Sequence, residues 1–398
     1  MYTKTKPEKL LNKNFVLLML ISLITSLGYS MISTLVSSYA VELGAKLAMA
    51  GTVAGIFSIS ALFSRPISGY ITDILNKKSL CVLSTIMICL AMLGYLMAPN
   101  LGFFFFVRIL HGIAFGISGT ANLALVSEYI PDDNMGQGLG YYGLGQIMAQ
   151  IVGPSIGIYI KNAMGYKVLF SIITLLTFIA VLILIFFFNY ETAGSGRQPG
   201  NPVKKQKNIT FDSFIAKECI VYALVAGLFS LGNGIMNSFL VLVGEERSIP
   251  NIGLFFSVNA VVLFFIRLTI GKVIDKASLL VVVDISLFLT ALSMLFVGKT
   301  SSFYVVMFAA VLKAIGHGAG QISLQSACIK KVSPDKVGIA SSTFYIGADI
   351  GQGLGPVIGG KISDMFGYSA MFYCIALFLV FVILAFSISE VKAGKNPA

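Results

Sequence analysis

The sequence predicts an all-α membrane protein of twelve transmembrane helices in two pseudo-symmetric six-helix bundles. Three observations carry that expectation. Of 398 residues, 57% are hydrophobic and 11% charged, with a mean hydropathy of +0.89; a water-soluble domain cannot keep so much apolar surface out of water. The apolar residues fall into runs of roughly 20, enough to cross the hydrocarbon core of a bilayer. The chain also repeats itself at an offset of 202 positions. Arg65, Gly69 and Asp73 recur as Arg267, Gly271 and Asp275; Gly153-Pro154 and Gly157 recur as Gly355-Pro356 and Gly359; and Gly165, Tyr166 and Phe170 return as Gly367, Tyr368 and Phe372. Such a duplication marks a two-bundle transporter with its substrate at the seam of the repeats.

Six apolar runs are expected in the first repeat, near 15–41, 48–75, 80–98, 103–129, 137–162 and 166–189. The first follows a Lys-rich start but lacks a small-residue cleavage site, so it reads as a retained anchor. Residues 190–214 then break the pattern with Gly194, Gly196, Pro199, Gly200, Pro202 and a Lys204–Lys207 cluster, the composition of a flexible cytoplasmic linker. Six further runs follow, near 215–243, 252–274, 279–297, 303–329, 337–362 and 367–388. The expected domains are therefore a first bundle over 1–189, a linker over 190–214 and a second bundle over 215–398. Five cysteines without paired spacing imply neither disulfides nor a metal site.

A net charge of +11 raises the question of nucleic acid, and the placement of the charge answers it. With the N-terminus in the cytoplasm, the inner segments hold 18 Lys and Arg and the outer segments six, while Arg65, Arg108, Arg267 and Lys313 fall within spans. That bias is the positive-inside rule. It predicts both termini in the cytoplasm and assigns the basic character to orientation in the bilayer rather than to a nucleic-acid partner.

Arg65-Pro-Ile-Ser-Gly69-Tyr-Ile-Thr-Asp73, followed by Lys77 and Lys78, resembles the signature loop between helices two and three of the major facilitator superfamily, with Asn76 where the family usually has a second Gly. Arg108-Ile-Leu-His111-Gly112 resembles its efflux-associated motif. Gly140, Gly153-Pro154 and Gly157 resemble the fifth-helix motif of its proton-driven antiporters, with Ala149 and Ile158 replacing two glycines, and Gly351, Gly355-Pro356, Gly359 and Gly360 repeat that motif more fully. The resemblance covers nearly the whole chain. It implies alternating access, with Arg65, Gly69, Asp73, Gly271 and Asp275 as gating residues and the Gly153-Pro154 and Gly355-Pro356 helices bending at the seam. Gly138-Leu-Gly140-Tyr-Tyr-Gly143 also fits a dinucleotide fingerprint, but no strand precedes it, so it reads as packing glycine.

Polar residues at helical spacing mark four helices that cannot face lipid. The first has Thr25, Tyr29, Ser33 and Ser37; the fourth, Arg108, His111, Ser118 and Asn122; the seventh, Ser230, Asn233 and Asn237; the tenth, Lys313, His317, Gln321 and Gln325. Charges inside spans are functional candidates by default. Arg267 and Asp284 are expected to pair, and Lys313 and Asp349 stand as a candidate coupled site. His111 and His317, each before a Gly, are expected at comparable places in the two halves, hydrogen-bonding substrate or helix rather than binding metal.

These readings converge on a proton-coupled exporter of a small organic molecule. Its substrate would meet Tyr29, Arg108, His111, Asn122, Asn233, Asn237, Lys313, His317 and Gln321, with Asp349 or His317 carrying the proton. No cofactor is expected, and the protein would act as a monomer in the cell membrane. The alternative cargo is a small organic anion or carboxylate-rich metal chelator, suggested by Arg108, Lys313 and two histidines against few buried acids, and the first span has no acidic residue for a cationic drug. An enzyme would need a clustered catalytic constellation, which the spans lack. A receptor without flux is the remaining rival.

Overall fold

A computed structural model describes residues 10–74, 76–131, 135–188, 216–274, 277–332 and 337–395. Eleven α-helices account for nearly all of them: α1 Lys13–Ser33, α2 Val36–Glu42, α3 Leu47–Ile74, α4 Lys77–Leu96, α5 Leu101–Val126, α6 Met135–Leu182, α7 Ile220–Glu246, α8 Leu254–Ile274, α9 Leu279–Lys299, α10 Phe303–Lys330 and α11 Val337–Lys395. In hydrocarbon a helix satisfies every backbone group within its own segment, so apolar runs of this length have no competing structure. Asparagines fix two starts: Asn76 accepts from the Ser79 N–H at 3.2 Å and Asn100 from the Phe103 N–H at 2.9 Å, capping α4 and α5.

Nine of the described helices are long and apolar enough to cross a membrane. Two of them, α6 with 48 residues and α11 with 59, turn back at Gly165 (φ +84°, ψ 171°) and Gly367 (φ +82°, ψ 169°). Those dihedrals lie in a region open essentially to glycine, where a Cβ costs about 1–3 kcal/mol. Residues 202 apart thus make the same turn, and each long helix supplies two crossings. With the shorter apolar stretch Leu254–Arg267 of α8, the twelve expected crossings are accommodated. The first run differs from expectation, because α1 ends at Ser33 and α2 begins at Val36. The hydroxyls of Thr34 and Ser37 at this break are buried without a hydrogen-bond partner.

The chain forms two compact units. The first comprises residues 1–32 and 60–210, the second residues 33–59 and 211–398. In the first, α4 packs against α5 and α6, and Phe15, Leu125, Leu184 and Phe188 are among the residues of a fully buried core. Its Lys77 end is tied by an ion pair from Lys77 to Glu128, and by Lys78 donating to the Phe188 carbonyl at 2.8 Å. Gly157 of α6 lies so close to α1 that a Cβ there would sit 2.5 Å from the Met31 carbonyl oxygen.

In the second unit, α11 packs along α7 and α9, and α10 along α8 and α9. Gly347, Gly351 and Gly355 meet the backbone of Ala223, Gly227 and Leu231 in turn, one helical turn per step, closer than any Cβ could fit. Residues 33–59 lie in the first repeat yet belong here, because Gly51 and Gly55 of α3 rest on the Pro356 and Gly353 carbonyls of α11. Small residues let membrane helices approach this closely, and dispersion then holds them. At the far end of α7, Arg247 donates to the carbonyls of Val297 (2.6 Å), Gly298 (3.1 Å) and Thr300 (2.9 Å) and to Ser369 Oγ (3.0 Å). A cation thereby satisfies the exposed carbonyls at the C-terminus of α9.

The repeat offset survives in the contacts. A Cβ at Gly116 would lie 2.8 Å from the Ala61 carbonyl, and one at Gly318 would lie 2.5 Å from Leu263; Ser64 and Ile266 complete the two contacts. Positions 61, 64 and 116 therefore match 263, 266 and 318.

Candidate functional site

Among the described residues, each unit holds a buried polar node. In the first, α5 carries Arg108 and His111, and α4 supplies Tyr95; all three are at most 3% exposed. Arg108 Nη1 donates to Tyr95 Oη at 3.4 Å, and that oxygen lies 2.9 Å from His111 Nδ1. Phe104 and Phe170 enclose the Tyr95 ring at 5.2 and 5.8 Å. Tyr29 of α1 stacks on Phe115 at 4.8 Å and meets the His111 ring edge-on at 6.4 Å. Two turns beyond Phe115, Asn122 donates to Ser118 Oγ at 2.9 Å, leaving its buried carbonyl oxygen without a partner. A guanidinium inside hydrocarbon must spend its donors on such groups.

The node of the second unit centres on Lys313 of α10, 2% exposed. Its ammonium donates to Asn233 Oδ1 of α7 at 2.8 Å and to Asn259 Oδ1 of α8 at 3.4 Å, and it lies 5.9 Å from the centre of the Phe255 ring. Asn233 in turn donates to Gln352 Oε1 of α11 at 2.9 Å, so four helices share one chain of polar contacts. Further along α10, Gln321 donates to the Ala226 carbonyl and to Ser230 Oγ, both at 2.9 Å. His317 meets the Phe229 ring edge-on at 6.2 Å, and its Nδ1 is buried without a hydrogen-bond partner. Asn237 is half-buried, one turn beyond Asn233.

Two pairings expected from the sequence are not formed. Lys313 binds amide oxygens rather than Asp349, which lies half-buried on α11. Asp284 accepts from Ser387 Oγ at 2.7 Å rather than pairing with Arg267, whose side chain is exposed. Depth along a helix is readable from residue counts, but rotation about its axis is not, and these partners are chosen by rotation. The histidine correspondence is corrected as well. At the offset that matches Gly116 with Gly318, His111 corresponds to Lys313 and Phe115 to His317. Each repeat thus places one ionisable group at the same position.

The sequence model of the Major Facilitator Superfamily matches residues 18–300 and again residues 222–398. The chain belongs to the Major Facilitator Superfamily. It is a multi-pass membrane transporter and not an enzyme. Among its relatives, the multi-drug resistance efflux pump PmrA of Streptococcus pneumoniae is 24% identical over 340 residues, spanning 83% of this chain and 84% of the pump. The staphylopine export protein of Staphylococcus aureus is 24% identical over 369 residues, spanning 90% of each chain. A crystal structure of a POT family transporter bound to a thioalcohol-conjugated peptide has the same fold, with a TM-score of 0.79 at 15% identity over 95% of this chain and 96% of that one.

For a major facilitator, the loop residues after the second and eighth crossings are the expected gates. Arg65 is exposed on α3, and Gly69 lies in the same helix. The side chains of Asp73 and of residues 271–276, which include Gly271 and Asp275, lie outside the described residues. Gly153-Pro154 and Gly355-Pro356 sit inside α6 and α11, each against the first crossing of its own repeat. Tyr95, Asn259 and Gln352 are the hydrogen-bonding members of the nodes that sequence reasoning missed. For Tyr95 the available signal was that it is the lone aromatic of its run, one turn from the end.

Proposed function

We propose that this transporter exports a small organic molecule in exchange for protons, by alternating access, as a monomer in the cell membrane with both termini cytoplasmic. The observation that carries the reading is the pair of buried polar nodes, built at equivalent positions of two repeats on predominantly apolar helices. Groups so costly to bury are retained where cargo or protons must pass. The efflux pump and the export protein among the relatives point the same way. Tyr29, Arg108, His111, Asn122, Asn233, Asn237, Lys313, His317 and Gln321 are assigned to substrate. The loops of Asp73 and Asp275 close one face, and the glycine-proline segments flex as the bundles rock.

Protonation shifts the balance of two conformations only through a group whose surroundings differ between them. Asp349 is assigned that role, with His317 next. Asp349→Asn should abolish accumulation driven by a pH gradient while preserving substrate exchange at equal pH, both measured in proteoliposomes. Gradient-driven accumulation at the wild-type level would move the coupling group elsewhere.

A further inference from the structure

The Lys313 node lacks the one component its charge demands. Among the described residues no carboxylate lies within 4.0 Å of the ammonium; its partners are two neutral amide oxygens and an aromatic face. Of the acidic side chains in the spans of helices packed against α10, Asp284 accepts from Ser387, and no hydrogen bond or ion pair joins Asp349 to Lys313. An ammonium has three N–H donors, and two are taken. A cation buried with neutral partners only is poorly compensated, and a counter-charge supplied from outside restores the balance.

The surroundings fit one such group. Asn233 and His317 flank Lys313 and are half-buried, so the node has an open side. The Asn237 amide, one turn from Asn233 on the same face of α7, is half-buried and makes no side-chain hydrogen bond to a described residue. Its N–H groups are donors for the second oxygen of a planar, singly charged group. We infer that Lys313, Asn233 and Asn237 form a receptor for a carboxylate on the transported molecule, with the Asn233 and Asn259 oxygens holding the ammonium until the cargo displaces them. One positive charge balances a carboxylate and leaves a phosphate dianion half compensated. The inference deepens the export reading and rests on it.

The test compares dansyl-glycine with dansyl-glycinamide, which differ in the carboxylate alone, as ligands of the purified full-length protein and as cargo in proteoliposomes. The wild type should bind the acid roughly tenfold to a hundredfold tighter than the amide. Lys313→Gln should erase that preference. Asn233→Asp keeps the side-chain volume and places a carboxylate on Lys313, so it should exclude the acid even where Lys313→Gln folds poorly. Equal binding of both probes by the wild type, or a preference surviving in Asn233→Asp, overturns the inference. Gradient-driven export of the amide at the rate of the acid would sink the carboxylate receptor while leaving the export reading intact. Acid-selective binding lost in both variants, with no flux of either probe, would support the receptor and sink export.

Discussion

Replacing Gly351 with valine should abolish the folded transporter. A Cβ at this position would sit on the Gly227 carbonyl oxygen, and the neighbouring steps at Gly347 and Gly355 are equally closed against Ala223 and Leu231. The atoms in the way are backbone, which cannot rotate aside as a side chain can. Overpacking typically costs about 1–3 kcal/mol where neighbours can shift; here a β-branched side chain would prise α7 from α11 along their shared length. In gel filtration the variant should show no monodisperse peak, and Gly351→Ala should show a reduced one. A wild-type yield and melting temperature for the valine variant would contradict the packing described.

Gly55→Leu should give a different failure. Gly55 faces the Gly353 carbonyl of α11, but α3 contributes only residues 47–59 to the second unit, and its remainder belongs to the first. Under the proposed alternating access, a contact of this kind belongs to one conformation of the cycle, so blocking it penalises a state rather than the fold. A penalty of about 1.4–2.8 kcal/mol on that state lowers its population by roughly tenfold to a hundredfold. The variant should purify as a monodisperse, normally melting protein whose transport rate falls by that factor. Loss of the folded protein would show instead that residues 33–59 are part of the static core, and wild-type flux would show that the contact carries no conformational weight.

Much of this architecture is legible in the sequence because it is written twice. The recurrence of Gly165-Tyr166 as Gly367-Tyr368 marks the two tight turns, and the recurring Gly-Pro pairs mark the helices that lie closest to their neighbours. The polar stripes of the fourth and tenth runs likewise identify Arg108, His111 and Lys313 as buried groups. What the residues could not disclose is who meets whom. Lys313 and Asp349 sit at similar depth, yet at 100° per residue a small error in rotation exchanges an aspartate for an asparagine as the nearest oxygen. The break between Ser33 and Val36 was hidden for another reason. It contains neither Gly nor Pro, and hydroxyl side chains are as common inside membrane helices as at their ends.

The measurement closest to the central claim is uphill transport under an imposed pH gradient. Wild-type protein in sealed proteoliposomes, challenged with pooled lipophilic drugs and organic carboxylates, should accumulate at least one compound against its gradient while protons move the opposite way. Both movements should stop when a protonophore collapses the gradient. Saturable binding with no flux would make the protein a receptor, and flux that ignores the gradient would remove the proton from the mechanism; either result would contradict the account.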